Sequence, residues 1–124
     1  MPIAPGELLD KLSILEIKLV RISDPDKLAN VKIEHRFLSE TRVAEVPESP
    51  ELADLYDELA MVNQALWNIE DDIRECERDA EFGARFIELA RSVYVQNDRR
   101  AATKRKINVL LGSSIVEEKS YQDY

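Results

Sequence analysis

The stretch LADLYDELAMVNQALWNIEDDIREC, residues 52–76, decides the fold. Apolar side chains recur in it at alternating spacings of three and four: Leu52, Leu55, Leu59, Val62, Leu66, Ile69, Ile73 and Cys76. This 3.5-residue period indicates a helix that packs along one seam against neighbouring helices. Tyr56, Ala60 and Trp67 lie on a flank of the seam, which indicates a second covered surface. We therefore predict a long helix in an all-α protein.

Proline and glycine divide the rest of the chain into further helices. Pro5, Pro25 and Pro50 each stand at a first helical position, and Asp24 and Ser49 act as N-caps for the second and third helices. The predicted helices span residues 5–22, 25–44, 50–78 and 84–111, with Gly112 after the last of them.

These elements predict an antiparallel four-helix bundle, in which helices 1 and 2 form a short hairpin and helices 3 and 4 a long heptad-patterned one. Residues 1–112 then form one helical domain, since a chain of this length holds about one domain. Residues 113–124 form a tail, in which the capping-box pattern Ser114-Ile-Val-Glu117 predicts one short helical turn.

Composition limits the possible functions. The chain has 124 residues and a net charge of −8. An acidic protein is a poor partner for nucleic acid or anionic lipid, because both require a positive field. No basic segment precedes an apolar run near the amino terminus, and no stretch reaches the roughly 20 apolar residues of a membrane span. The single cysteine, Cys76, fits a reducing compartment and continues the apolar seam as a buried residue. We expect a cytoplasmic protein.

The fourth helix breaks the apolar pattern in its middle. The heptad continues at both ends, through Phe86, Leu89, Val93, Ile107 and Leu110. Between these ends, the strict register turns Gln96, Arg100 and Thr103 inward. The adjoining register instead turns inward Asn97, Ala101 and Lys104. An antiparallel hairpin would set this polar segment against residues 60–68, which are largely apolar.

A buried charge needs a carboxylate, a ligand or water as its partner. One interpretation is therefore a polar pocket in which an anion is bound by charge-assisted hydrogen bonds. Its candidate ligand-binding residues are Tyr94, Asn97, Arg99, Arg100 and Lys104. The alternatives are structural. Either Ala101 and Ala102 make the core contact while the basic side chains extend to water, or the middle of the helix is solvated.

No pattern predicts a catalytic or metal site. Three acidic pairs have the i, i+3 spacing of helical magnesium sites: Glu7 and Asp10, Glu51 and Asp54, Asp72 and Glu75. Glu7 and Glu51 stand in first turns, however, where acids complement the helix dipole. His35 and Cys76 are too few ligands for zinc, and we expect His35 to be packed and bonded to a carbonyl or carboxylate. We predict no catalytic residue, no metal and no cofactor.

Several segments together resemble one protein family: PGELLDKLSILEIK (residues 5–18), LWNIEDDIRE (66–75), FIELARSVYVQNDRRAATKRKIN (86–108) and EEKSY (117–121). They are similar to a family of short bacterial helical proteins of unknown function. The resemblance implies a bacterial protein linked to surface-glycan synthesis, and it implies no activity or site residue. The first helix also resembles that of helical chorismate mutases, whose dimers bind a dianion with arginine and lysine.

Two functions fit these observations. The first is a non-enzymatic interaction or oligomerisation module that forms a homodimer through its long helices and presents a surface to a protein partner. It rests on the surplus of apolar faces on helices 1 and 3, which self-association would bury. The alternative is a small enzyme or sensor that binds an anionic metabolite in the polar pocket on helix 4.

Overall fold

The structure, a computed structural model, describes residues 4–112. This range folds into four helices and contains no strand: α1 (Pro5–Arg21), α2 (Pro25–Glu45), α3 (Pro50–Arg78) and α4 (Ala84–Leu110). The predicted all-α class and helix count are confirmed, and the helix contacts agree with a bundle. The antiparallel hairpin arrangement stays a prediction. The turn predicted at residues 114–117 lies outside the described residues.

Side-chain N-caps mark the starts of α2 and α3. The Asp24 side chain accepts hydrogen bonds from the backbone of Asp26 and Lys27 at the start of α2. Ser49 Oγ accepts one from the Leu52 amide, at 3.2 Å, at the start of α3. Both side chains satisfy amides that have no partner within their own helix, so the predicted N-caps are confirmed.

Two of the four helices, α3 and α4, end with a residue in the left-handed region. Gly112, with φ of 63°, follows α4 as predicted. After α3 the same position is held by Ala80, with φ of 52°. The Glu81 amide donates to the Cys76 carbonyl at 2.8 Å and the Ala80 amide to the Glu77 carbonyl at 3.2 Å. This pair of bonds is the Schellman arrangement, which satisfies two of the last carbonyls of α3.

Helix α1 lies at the centre of the fold and packs against each of the other three helices, while α3 also packs against α4. The core is formed by Leu8, Leu9, Leu12, Val46, Leu52, Leu59 and Ile107. The predicted seam of α3 faces this interior: Leu52, Leu59 and Cys76 are fully buried. A helix with three neighbours needs a wide apolar stripe, and α1 has one because Leu9 and Ile17 are buried beside Leu8, Leu12 and Leu15.

Helix α2 is packed on one side only. None of its 21 residues is buried. Its inner side reaches the core through Leu38, and Arg42 lies over the ring of Tyr56 on α3, 4.5 Å from the ring centroid. Away from this inner side, α2 exposes three large apolar side chains: Ile33 at 68%, Phe37 at 66% and Val43 at 84%.

None of the four helices has a long, weakly charged apolar segment of the kind that crosses a membrane.

Candidate functional site: a buried polar cluster between α1, α3 and α4

The polar middle of α4 packs against the first half of α1, and residues from both registers turn inward. Thr103 is buried, Arg100 is partly buried and Asn97 is exposed. Lys104, from the adjoining register, is also buried, at 9% exposure. Arg100 and Lys104 have partners on α1, whereas the Thr103 hydroxyl donates to the Arg99 carbonyl of its own helix.

Asp10 of α1 is the centre of this cluster, and it has no exposed surface. The Arg100 guanidinium donates from Nε to both of its carboxylate oxygens, at 2.9 and 3.1 Å, and from Nη2 to Oδ2. Asn63 of α3 donates from Nδ2 to Asp10 Oδ1 at 2.9 Å. The carboxylate thus joins three helices through charge-assisted hydrogen bonds.

Ser13 and Asn63 complete the inner part of the cluster. Ser13 Oγ donates to the Asp10 backbone carbonyl at 2.8 Å and accepts from Asn63 Nδ2 at 2.7 Å. Ser13 and Asn63 are both buried, at 1% and 5% exposure. Burying polar groups in a small core is tolerated because each finds a partner.

Glu7 and Lys104 form the outer part of the cluster. Lys104 Nζ donates to Glu7 Oε2 at 2.7 Å and lies 3.9 Å from Asp10 Oδ2. The Lys104 side chain is 11% exposed and that of Glu7 is 34% exposed, so this pair stands at the edge of the protein. Together with Asp10 and Arg100 the cluster holds two acids and two bases, whose charges cancel.

A glycine lets α1 approach α4 this closely. The Gly6 amide donates to Asn108 Oδ1 at 2.7 Å. A Cβ atom on Gly6 would stand 2.5 Å from the carbonyl oxygen of Lys104, which is closer than real Cβ atoms come to backbone. Asn108 is fully buried, and its Nδ2 has no hydrogen-bond partner within residues 4–112.

The structure brings together three of the five residues predicted to bind a ligand. Asn97, Arg100 and Lys104 line one groove of about 220 Å³ with Ala101. Arg99 lines a separate groove of about 200 Å³ with Gln96 of α4 and Glu58, Met61, Val62 and Ala65 of α3. Tyr94 is 75% exposed and is not among the residues that line either groove.

Asp10 is not placed to act as a base toward a molecule in this groove. Both of its oxygens accept hydrogen bonds, and the carboxylate has no surface open to solvent. A general base must reach the proton that it removes. The cluster is instead suited to holding Arg100 and Lys104 at fixed positions beside the groove.

A second polar group joins α1, α2 and α3. The Tyr56 hydroxyl donates to Glu16 Oε1, and His35 Nε2 lies 3.6 Å from Glu16 Oε2. Burial raises the pKa of Tyr56 above its ordinary value, the hydrogen bond and charge of Glu16 raise it further, and the cation of Arg42 opposes them. His35 has the carboxylate neighbour that we expected, but the distance is too long for a hydrogen bond.

Reasoning from the sequence missed the α1 and α3 members of the cluster. The available signal was Asp10 itself, which stands between Leu9 and Leu12, with Ser13 directly after Leu12, inside the apolar stripe of α1. The spacing of Glu7 and Asp10 indicated a metal pair or, for Glu7, a first-turn acid, whereas Glu7 binds Lys104 and Asp10 binds Arg100. Within residues 4–112, no group of three or more metal-ligating side chains is arranged around a common point.

The chain matches no protein-family model, no curated protein and no solved structure.

Proposed function

We propose that this protein is a non-enzymatic helical interaction module, and that it associates with a second copy of itself through the outer face of α2. The observation that carries the proposal is the exposure of Ile33 and Phe37, at 68% and 66%, on a helix with no buried residue. Two large apolar side chains one helical turn apart form a continuous patch, which a second protein surface would cover.

The side of α2 that carries Ile33 and Phe37 also carries small residues and the charged Glu40. At 100° per residue, Ala29, Ile33, Phe37 and Ala44 fall on one side of the helix, opposite the side that meets α1. Both alanines are exposed. Small residues at the two ends of the patch allow another helix to approach closely, while Ile33 and Phe37 supply the apolar area at its centre.

Charge favours α2 over the long helices as the contact between two copies. Where a two-fold contact sets a helix against the same helix of the second copy, a strongly charged helix repels its counterpart. Helix α3 carries nine acidic and two basic residues, and α4 carries two acidic and seven basic ones. Helix α2 has four acidic and four basic residues and is neutral when His35 is neutral. The proposal therefore replaces the expected long-helix interface with α2.

The expected affinity is modest. Fully burying an exposed side chain of this size contributes about 1.5–3 kcal/mol. The four Ile33 and Phe37 side chains of a dimer would then supply about 6–12 kcal/mol, against about 4–15 kcal/mol of lost freedom on association. The two contributions are of similar size, so the dimer is expected to dissociate on dilution.

Light scattering across a hundredfold range of protein concentration tests the proposal. The wild-type chain is expected to move from monomer mass toward twice that mass, and Phe37→Glu is expected to stay monomeric. Met61→Glu is the matched control, because Met61 is 73% exposed on α3, away from the patch. A wild-type chain that remains monomeric at every concentration, or a Phe37→Glu chain that still dimerises, would overturn the proposal.

A further inference from the structure

Helices α3 and α4 extend past the region where α1 crosses them. The hydrogen bonds from α1 to α3 reach as far as Asn68, whose Oδ1 accepts from Arg21 at 3.3 Å. Helix α3 continues to Arg78, which is about ten residues or about 15 Å further along its axis. The start of α4 lies beside this extension, because Arg85 Nη1 stands 3.7 Å from Glu75 Oε1.

One face of this extension continues the face that α1 covers. Asn63 of α3 and Arg100 of α4 both donate to the Asp10 carboxylate of α1, so they point to the same side of the two helices. Steps of seven residues return to nearly the same side of a helix, within about 20° each. Seven and fourteen residues closer to the turn, two glutamates hold this position on α3 and two apolar residues hold it on α4. Together with the isoleucine between the glutamates they form the tip face: Glu70, Ile73, Glu77, Phe86 and Val93.

The centre of the tip face is apolar and only partly covered. Ile73, Phe86 and Val93 are half-buried, whereas Leu59, fourteen residues before Ile73, is fully buried in the core that α1 completes. The ring of Phe82 is 54% exposed and packs edge-on against Phe86, with 5.3 Å between centroids, so the apolar surface continues into the turn. A third helix laid on this face would bury it, as α1 does further along.

The charge around the tip face indicates the kind of helix that fits. Residues 69–93 contain eight acidic and four basic side chains, so this segment carries −4 of the chain's net charge of −8. Glu70 and Glu77 are exposed at the edge of the apolar centre, and Arg74, which stands between them, pairs with Asp71 at 2.6 Å. The same face of a second copy would be repelled, whereas a cationic partner would be attracted.

We propose that the tip face binds a cationic amphipathic helix of another protein, with its apolar side on the apolar centre and its lysine or arginine side chains against Glu70 and Glu77. These two acids are two turns apart, about 10 Å along α3, so cations seven residues apart on a parallel helix would reach both. The contact does not involve α2, and it can therefore fail or succeed independently of the proposed self-association.

Fluorescence anisotropy of a labelled peptide, titrated with the full chain, tests the proposal. The probe is a helical peptide of about 14 residues, in which leucine recurs at alternating spacings of three and four and lysines seven residues apart flank the leucines. A matched peptide has glutamate in place of lysine. The lysine peptide is expected to bind, with an affinity that falls as the salt concentration rises, and the glutamate peptide is expected not to bind.

Two double variants test the role of the acids. Glu70→Gln with Glu77→Gln is expected to weaken binding of the lysine peptide about three- to tenfold, because two partly exposed ion pairs are lost. The matched control is Glu51→Gln with Glu58→Gln, which removes the same charge at the same spacing from exposed positions on the other half of α3. This control is expected to bind like the wild type.

Two single variants test the apolar centre. Val93→Ala is expected to weaken binding about three- to tenfold, because it removes apolar area from the contact. Val95→Ala makes the same change at a position that is 56% exposed and lies about 200° away around α4, and it is expected to leave binding unchanged. Phe37→Glu, which the self-association proposal requires to stay monomeric, is expected to bind the peptide like the wild type.

Each remaining outcome would overturn the proposal. These are a lysine peptide that does not bind, a glutamate peptide that binds equally well, or equal losses in the two double variants, which would assign binding to net charge. Equal losses in the two valine variants would place the contact elsewhere. If light scattering shows that Val93→Ala, unlike Val95→Ala, loses self-association while no peptide binds, the occupant of the tip face is a second copy. Circular dichroism confirms that each variant remains helical.

Discussion

Replacing Asp10 with alanine is expected to destabilise the fold by about 3 kcal/mol. Breaking a buried ion pair by removing one partner costs about 3–5 kcal/mol. The lower end applies because the Arg100 side chain is 31% exposed and can turn partly toward water. Asn63 keeps its bond to Ser13 Oγ and Lys104 keeps its bond to Glu7, so neither adds a large penalty.

A double variant separates the charge pair from the packing around it. Asp10→Leu with Arg100→Met removes both charges and keeps much of their volume, so it is expected to lie within about 1–2 kcal/mol of the wild type. Urea unfolding at one low protein concentration, followed by far-ultraviolet circular dichroism and Trp67 fluorescence, measures all three chains. A loss below about 1 kcal/mol in Asp10→Ala, or a double variant as unstable as the single one, would refute the role given to the pair.

Two further predictions concern close packing and pH. Gly6→Ala is expected to lower the free energy of unfolding in urea by about 1–3 kcal/mol, because the new Cβ meets the Lys104 carbonyl. The control is Gly83→Ala, whose Cβ meets nothing within 4 Å and which is expected to change this free energy by less than about 1 kcal/mol. Equal losses of stability in the two variants would contradict the close approach of α1 to α4. Above pH about 10 the unfolded chain releases the Tyr56 proton first, since the folded state holds this pKa higher, so stability should fall as pH rises. Urea midpoints should show that this fall is smaller in Tyr56→Phe; a fall that persists in full in that variant contradicts the assignment.

The helices were predictable from the sequence because their signals are local. Prolines at first helical positions, Asp24 and Ser49 as caps and the seam at residues 52–76 depend on neighbours within a few residues. The one local surprise is Ala80, which adopts the left-handed conformation after α3, while Gly83 is the residue that precedes α4. In a turn of several residues, more than one residue can adopt the left-handed conformation. Which residue does so depends on how α3 packs against α4.

The polar cluster was only half predictable because it is not local. The mismatch in the middle of α4 drew attention to Arg100 and Lys104, but the acids that they bind are about 90 residues away, on α1. Heptad spacing relates residues within one helix and does not say which face of another helix lies opposite. The exposed side of α2 could not be predicted for a related reason. Isoleucine and phenylalanine are usually buried, and the exposure of Ile33 and Phe37 depends on where the other helices lie.

Hydrogen–deuterium exchange at low and high protein concentration tests the central claim most directly, because it reports which surface is covered. If two copies meet through α2, the backbone amides of residues 29–44 should exchange more slowly as concentration rises, and those around Met61 on α3 should not change. Exchange in α2 that is independent of concentration, or new protection confined to α3 or α4, would contradict the proposed interface.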